Sequence, residues 1–329
     1  MAPRSVFDGI LGQAPAVETL TRALHSGRVH HAYRFEGPSG VGKERAAFAL
    51  AQSLVCEGPG PLGCGECSAC KRAVRLAEDD PHVPQHPDVV LLERGLYPAS
   101  ALGTSTREST LIGVEQVRKL VLARVGYSPH EGRALVFIVR AAEELSLPAA
   151  NALLKTLEEP PNRVHFVLLT SQPHRLLDTI RSRTLAVRFG ALPEPVVERL
   201  LVERSLPAEL ARHAGGSVGN ALALADEEAA RARSDFVTGA LTALEAPSLE
   251  GAVLFASNRP DDRDLLKAHL EGLSQHFALD ARDHVETDVR RAERAARRYA
   301  AVLEAVAAVE RNAQPGLTLE SMMVRLRAV

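Results

Sequence analysis

Hydrophobic residues follow two kinds of pattern up to about residue 190. Short apolar runs of strand length are separated by longer segments in which apolar residues recur at helical spacing. The helical segments include Lys43–Val55, Val114–Val125 and Pro148–Glu159. Because the short runs are mostly continuous rather than alternating, we expect a parallel sheet with both faces covered by helices. The predicted strands are Ala32–Glu36, Val89–Glu93, Ala134–Arg140, Val164–Thr170 and Leu185–Phe189.

Beyond the predicted sheet, the pattern becomes wholly helical. From about residue 193 to 228 it consists of short pieces broken by Pro207 and by Gly215-Gly216, and longer helical segments follow to the end. The segment Tyr97–Thr110, rich in Ser, Thr, Gly and Ala, predicts an exposed loop. We therefore expect an α/β core at residues 1–190, a small helical domain at 191–228 and an all-α domain at 229–329.

A possible phosphate-binding loop, or P-loop, has the sequence GPSGVGK at residues 37–43 and lies between a predicted strand and a predicted helix. Its glycines are Gly37, Gly40 and Gly42. Glycines let backbone N–H groups turn toward phosphate, and Lys43 would reach the terminal phosphates of ATP or ADP. The next position requires Ser or Thr to bind Mg²⁺, but the residue is Glu44. The loop either retains residual nucleotide binding or only packs against the core.

The second metal motif of a P-loop nucleotidase is also altered. The strand predicted at Ala134–Arg140 should end in an Asp that positions Mg²⁺, followed by a Glu that acts as a base. Arg140 and Ala141 occupy these positions. Glu143 and Glu144 fall on the following turn, where we expect them to face solvent. We therefore expect no ATP hydrolysis by this chain itself; the alternative is an active ATPase that uses Glu143 or Glu144 as an unusual metal ligand.

All the cysteines of the chain are close together in the sequence: Cys56, Cys64, Cys67 and Cys70. Two C-x2-C steps bring soft ligands together from tight turns, which is typical of tetrahedral Zn²⁺ sites. Four thiolates leave no position for water, so we predict a structural zinc module at residues 56–70. Nearby His82 and His86 are not needed as ligands. Free thiols and a redox C-x-x-C pair are the alternatives, and four thiolates also suit cadmium or iron.

Composition restricts the function further. Of 329 residues, 46% are apolar and 24% charged, and the net charge is −2, so bulk charge does not attract the molecule to nucleic acid. Aromatic residues are scarce, which argues against stacking on single strands. No apolar run approaches the ~18–20 residues of a membrane span, and we expect a cytoplasmic protein. A zinc-dependent nucleic-acid-binding module remains an alternative, although Lys71, Arg72 and Arg75 are the only basic cluster near the cysteines.

Several motifs resemble bacterial clamp-loader ATPases, which belong to the AAA+ superfamily. The most specific is NALLKTLEEPP at residues 151–161, and His31-Ala-Tyr33, the four-Cys insertion and Ser182-Arg183-Thr184 are also similar to the family. The resemblance is close over roughly residues 5–190. It implies a RecA-like core that carries the zinc module, a small helical lid and a C-terminal helical collar that oligomerises.

The resemblance also implies a place within the family. Its gamma or tau motor subunits hydrolyse ATP, its delta subunit opens the sliding clamp, and its delta-prime subunit does not hydrolyse. Glu44, Arg140 and Ala141 indicate the delta-prime branch, and Gly219 stands where a motor subunit has an Arg. Such a subunit works with gamma/tau and delta in the DNA polymerase III holoenzyme, a DNA-directed DNA polymerase, at the nucleoid-associated replisome. There it helps load the clamp onto primed DNA. A gamma/tau-like motor is the alternative.

Arg183 is the residue to which the resemblance assigns a catalytic role. In the family this Arg enters the ATP site of the adjacent subunit as an arginine finger, an effect worth ~10³–10⁵ in rate. Thr184 replaces the family's Cys, and we expect this to matter little because Cys is not the charged element. The alternative is an Arg on a solvated helix end, with Arg181 easily mistaken for it. The helix at 151–161 either carries a surface pair between Lys155 and Glu159 or frames the subunit boundary.

Overall fold

The computed structural model describes residues 5–103, 111–131, 133–260, 262–311 and 313–329. The chain divides into two compact units, residues 1–196 and residues 197–329. The first unit contains the sheet and the second is built of helices. The finer division at 1–190, 191–228 and 229–329 stays a prediction.

The sheet consists of β1 (Ala32–Glu36), β2 (Val89–Leu92), β3 (Leu135–Val139), β4 (Val164–Thr170) and β5 (Leu185–Arg188). These strands pair in the order β2-β3-β4-β1-β5, and all the pairings are parallel. Strand β1 lies between β4 and β5, with Phe35 beside Leu169 on one side and Val187 on the other. The P-loop sequence therefore leaves the sheet from an interior strand.

The predicted strands are confirmed, with bounds that differ by at most one residue at either end. Strands β1 to β4 are buried almost throughout, as expected for a sheet covered on both faces, and Phe137 and Phe166 stack with their ring centroids 5.0 Å apart. Strand β5 differs, because only Val187 is buried and Leu185 is 45% exposed. The apolar run of β5 therefore forms an edge strand that is only partly covered, not a strand buried on both faces.

Helices connect and flank the strands of the first unit. They are α1 (Ala14–His25), α2 (Lys43–Val55), α3 (Ser68–Val74), α4 (Ala99–Leu102), α5 (Val114–Val117), α6 (Ala123–Val125), α7 (Leu147–Glu158) and α8 (Asp178–Arg181). A π-helical turn at Arg118–Leu122 joins α5 to α6, so the helix predicted at Val114–Val125 is continuous but irregular. The loop predicted at Tyr97–Thr110 is wrong in part because α4 lies within it, and its residues 104–110 lie outside the described residues.

Short helices followed by longer ones make up the rest of the chain, as the pattern predicts. They are α9 (Glu194–Val202), α10 (Leu210–His213), α11 (Val218–Ala225), α12 (Glu227–Glu245), α13 (Glu250–Ser257), α14 (Arg263–His284), α15 (Val289–Glu310) and α16 (Pro315–Ala328). A core that includes Leu270, Phe277, Val302 and Met323 holds the long helices together. Within the described ranges, none of the helices combines the length and apolarity needed to cross a membrane.

Candidate functional site

The P-loop runs from the end of β1 to the start of α2, as predicted. Gly37 has φ +151°, and a Cβ atom added there would lie 2.2 Å from the carbonyl oxygen of Phe189, so a larger residue does not fit. Gly40 and Gly42 have φ +70° and +100°, a left-handed conformation that favours glycine. The loop therefore adopts a backbone that depends on its glycines.

Lys43 is directed at the loop itself. Its side chain is buried, and Nζ donates hydrogen bonds to the carbonyl oxygens of Gly37 and Pro38. Burial lowers the pKa of Lys43 to about 8, and the negative charge of Glu143 opposes that shift. Two of the three N–H donors of Lys43 are thus used within the loop, and a bound phosphate would have to take the third or replace a carbonyl partner.

A buried amide supports the P-loop from α1. Gln13 Nε2 donates to the carbonyl oxygens of Val41, at 3.1 Å, and Gly190, at 2.7 Å. The N–H of Gly190 donates back to Gln13 Oε1 at 3.1 Å. Gln13 thus ties the loop to the chain that leaves β5.

Arg140 forms ion pairs with two carboxylates at the end of the sheet. One guanidinium nitrogen contacts Glu44 of α2, and another lies 2.5 Å from Glu93 Oε2, next to β2. Burial works to lower the pKa of Arg140, but the hydrogen bonds to Glu44 and Glu93 raise it overall. The ion pair between Arg140 and Glu44 therefore joins the two positions, 140 and 44, whose side chains would bind Mg²⁺ in a nucleotidase.

The expectation that Glu143 and Glu144 face solvent is wrong. Glu143 Oε1 accepts hydrogen bonds from the Ser171 N–H, at 3.1 Å, and from Ser171 Oγ, at 2.8 Å, while Glu144 lies 3.3 Å from Arg94 Nε. Ala141 has φ +44° and begins the tight turn that carries both residues. Glu143 is therefore attached to the chain that follows β4.

The cysteine sulfurs converge as predicted. The four Sγ atoms lie within 4.8 Å of one another. Individual separations are 3.6 Å for Cys56–Cys64, and 4.0 Å for both Cys56–Cys67 and Cys64–Cys70. A tetrahedral zinc with Zn–S bonds of about 2.3 Å requires sulfur atoms about 3.8 Å apart. The geometry is compatible with one zinc ion held by four thiolates.

Backbone N–H groups of the module point at the sulfurs. The Cys67 N–H lies 3.3 Å from Cys64 Sγ, and the Cys70 N–H lies 3.4 Å from Cys67 Sγ. The backbone N–H groups of Cys67 and Glu66 lower the pKa of Cys64 to about 6, whereas burial raises the pKa of Cys70. Such N–H groups stabilise metal-bound thiolates, because they donate to the charged form.

Helix α3 attaches the zinc module to the core through an ion pair. Both terminal nitrogens of Arg72 bind the carboxylate of Glu131, at 2.7 and 2.8 Å, and His86 Nε2 lies 3.1 Å from the same carboxylate. Arg75 pairs with Glu78 at 3.3 Å. Two of the three basic residues near the cysteines thus have acidic partners in the chain, which argues against a nucleic-acid-binding module.

Arg183 lies two residues after α8 and is held by the end of α7. Its Nη2 is 2.5 Å from Glu158 Oε1, its Nη1 donates to the Thr179 carbonyl at 2.9 Å, and its side chain is 32% exposed. Arg181 pairs with Asp178 instead, at 2.9 Å. The two arginines therefore have different partners, and the ion pair of Arg183 is with Glu158 rather than Glu159.

Thr184 makes contacts that give its hydroxyl a structural role. The residue is buried, its Oγ1 accepts a hydrogen bond from Arg34 Nη1 at 2.7 Å, and it donates to the Ile180 carbonyl at 2.9 Å. A Cys thiol is a weaker donor and acceptor than a hydroxyl. The Thr at this position therefore provides the buried Arg34 with a stronger acceptor than the family's Cys would.

Comparison with known proteins identifies the family of the chain. A family model described as "DNA polymerase III, delta subunit" matches residues 12–193, more than half of the chain. The chain belongs to the clamp-loader AAA+ family of DNA polymerase III subunits. Its parallel RecA-like core, cysteine cluster and helical C-terminal region are the architecture that the resemblance implies.

Relatives include several kinds of DNA polymerase III subunit. Subunit gamma/tau of Mycobacterium bovis is 36% identical over 243 residues, which is 70% of this chain and 38% of the relative. Subunit tau of Escherichia coli is 35% identical over 249 residues, or 72% of this chain and 35% of the relative. Subunit delta' of Bacillus subtilis is 34% identical over 200 residues, or 61% of this chain and 54% of the relative. The chain thus spans about a third to a half of these relatives.

Proposed function

We propose that this chain is a non-hydrolysing, delta-prime-type subunit of the DNA polymerase III clamp loader. The observation that carries the proposal is the ion pair between Arg140 and Glu44. A nucleotidase needs a hydroxyl and a carboxylate at these positions to bind Mg²⁺. The Arg140 guanidinium beside the P-loop repels a divalent cation and occupies the carboxylates of Glu44 and Glu93. Without Mg²⁺, the charge that develops on a transferring phosphoryl group is not neutralised.

The chain would contribute to catalysis through a neighbour. Arg183 is partly exposed after α8, and we infer that it enters the ATP site of an adjacent gamma/tau motor subunit. There its guanidinium would exchange Glu158 for the γ-phosphate oxygens and stabilise the charge of the transition state. Lys43 leaves residual ATP or ADP binding open, and the zinc at Cys56, Cys64, Cys67 and Cys70 would be structural. The other partners would be the delta subunit, the sliding clamp and primed DNA, within the replisome.

The competing function is a gamma/tau-like motor. It is favoured by the identities of 35–36% to gamma/tau and tau subunits, and by the position of Glu143, whose charge acts on Lys43. Glu143 would then have to bind a metal ion, through Oε2 or after release of Ser171 from Oε1. The Arg140–Glu44 pair stands against this, because it places a positive charge at the metal position.

Substitution of Lys43 separates the two functions. We expect a loader assembled with Lys43→Ala to hydrolyse ATP and load clamps at wild-type rates, because no turnover occurs at this P-loop. The measurement is ATP hydrolysis stimulated by clamp and primed DNA, with the motor and delta subunits of the same organism. The matched control is the equivalent P-loop lysine of the motor subunits, whose loss abolishes turnover. A large rate loss with Lys43→Ala would identify this chain as a motor.

A further inference from the structure

Arg34 is a buried charged residue in the middle of β1. It is 8% exposed, and its Nε lies 2.5 Å from Glu36 Oε1. Its Nη1 donates to the carbonyl oxygen of Arg181, at 2.9 Å, and to Thr184 Oγ1, at 2.7 Å. An uncompensated guanidinium is costly at such depth, and Glu36 supplies the opposite charge. Both hydrogen bonds donated by Nη1 thus go to a single short loop.

That loop contains Arg183. The two acceptors of Arg34 are the residue two positions before Arg183 and the residue directly after it, so the contacts flank Arg183 on both sides. Thr184 also donates to the carbonyl oxygen of Ile180, which ties it to α8. The Thr184 hydroxyl therefore accepts from the sheet and donates to the helix. Both contacts restrict the backbone that carries Arg183.

We propose that Arg34 is a positioning residue for Arg183, acting through the Arg181 carbonyl and the Thr184 hydroxyl. The inference rests on the proposed role of Arg183 in a neighbouring ATP site. A charged group that stabilises a transition state must be accurately placed, since a displacement of about 1 Å costs about 10²-fold in rate. Because it is buried, Arg34 does not need to contact the neighbour. Its planar fork explains why one guanidinium holds two acceptors and a carboxylate at once.

Substitutions at Thr184 test the proposal with little change in size. Thr184→Val removes the hydroxyl, whereas Thr184→Ser retains it. In the reconstituted loader, with clamp and primed DNA, we expect Thr184→Val to lower the kcat of ATP hydrolysis at the adjacent motor site about tenfold or more. The KM for ATP should not change, because the finger acts on the transition state. Thr184→Ser should restore kcat to within about twofold of wild type.

Arg34→Lys provides a second variant, because it keeps the charge that Glu36 needs but loses the planar fork. We expect the same fall in kcat as with Thr184→Val. Melting temperature and affinity for the motor subunits are measured on every variant, so that the rate refers to correctly assembled complexes. Wild-type kcat with Arg34→Lys would contradict the role of the fork.

The outcomes separate this inference from the function on which it rests. If Arg183→Ala abolishes stimulated hydrolysis while Thr184→Val and Arg34→Lys keep wild-type kcat, the positioning role is wrong and the proposed function stands. If the two variants weaken assembly but each assembled complex turns over normally, their role is only structural and the inference is again wrong. If Arg183→Ala itself has no effect, the proposed function fails first.

Discussion

Arg140 forms an ion pair with Glu44, and the two residues stand where a nucleotidase has its two Mg²⁺-binding groups. The two departures from the family motif are therefore one structural unit. Glu44 alone would add negative charge beside a bound triphosphate, and Arg140 without Glu44 would keep only Glu93 as an ionic partner. Together, and with Glu93, they form a charge network that needs no metal ion.

Replacement of this network should restore metal-dependent nucleotide binding. The variant that combines Glu44→Thr, Arg140→Asp and Ala141→Glu regains the hydroxyl and carboxylates that bind Mg²⁺. We expect its ATP affinity, measured by calorimetry, to rise about tenfold or more when Mg²⁺ is added. Wild type should show no such dependence, whatever its affinity for ATP. Strong Mg²⁺ dependence in wild type would mean that the Arg140–Glu44 pair opens to admit the ion.

The burial of Lys43 should be visible in the pH dependence of stability. Its pKa is lowered from 10.5 to about 8 in the folded chain, so between these pH values the unfolded state binds more protons. The folded state is therefore increasingly favoured as pH rises through this range. We expect the free energy of unfolding of wild type, relative to Lys43→Met, to increase by up to about 3 kcal/mol.

Urea denaturation at several pH values measures that difference. Lys155→Met, which removes an exposed lysine, is the matched control. If the difference in unfolding free energy between wild type and Lys43→Met does not change with pH, the Lys43 ammonium is well solvated in solution. It would then already be free of the loop carbonyls and available to a phosphate.

The cysteine module should bind one metal ion and depend on all four thiols. The chain has no other cysteine, so atomic emission and thiol titration report on this site alone. We expect one zinc per chain in wild type and in His82→Ala, and none in Cys70→Ser. Chelation should lower the melting temperature by about 5 °C or more, and zinc affinity should fall in acid because the ligands are thiolates. Four freely titrating thiols in the purified chain would exclude a metal site.

Much of the fold follows from the sequence because apolar runs and glycines have direct structural consequences. The strands of a covered parallel sheet are mostly apolar, and this pattern predicted β1 to β4 almost to the residue. Only glycine fits at Gly37, so the glycines of the P-loop motif were enough to predict the backbone conformation of the loop. Cysteines at C-x2-C spacing similarly predicted a cluster that the fold forms.

The partners of the site residues could not be predicted, because each lies far away in the sequence. Nothing near Arg140 indicates Glu93, and nothing near Arg183 indicates Arg34, which sits in a strand that otherwise reads as core. Glu143 was expected in solvent because its turn looked exposed, yet Ala141 begins a turn that brings it to Ser171. Polar contacts between residues distant in the sequence form only in the packed fold, whereas strands and glycine loops can be read from neighbouring residues.

The central claim is that this chain completes a neighbour's active site without hydrolysing ATP itself, and Arg183 tests it most directly. The measurement is ATP hydrolysis by the reconstituted loader, stimulated by clamp and primed DNA, with Arg183→Ala, Arg181→Ala as the matched control, and wild type. We expect Arg183→Ala to remove the turnover that depends on the adjacent motor site, by about 10³-fold there, and Arg181→Ala to have little effect. Wild-type hydrolysis with Arg183→Ala would contradict the claim.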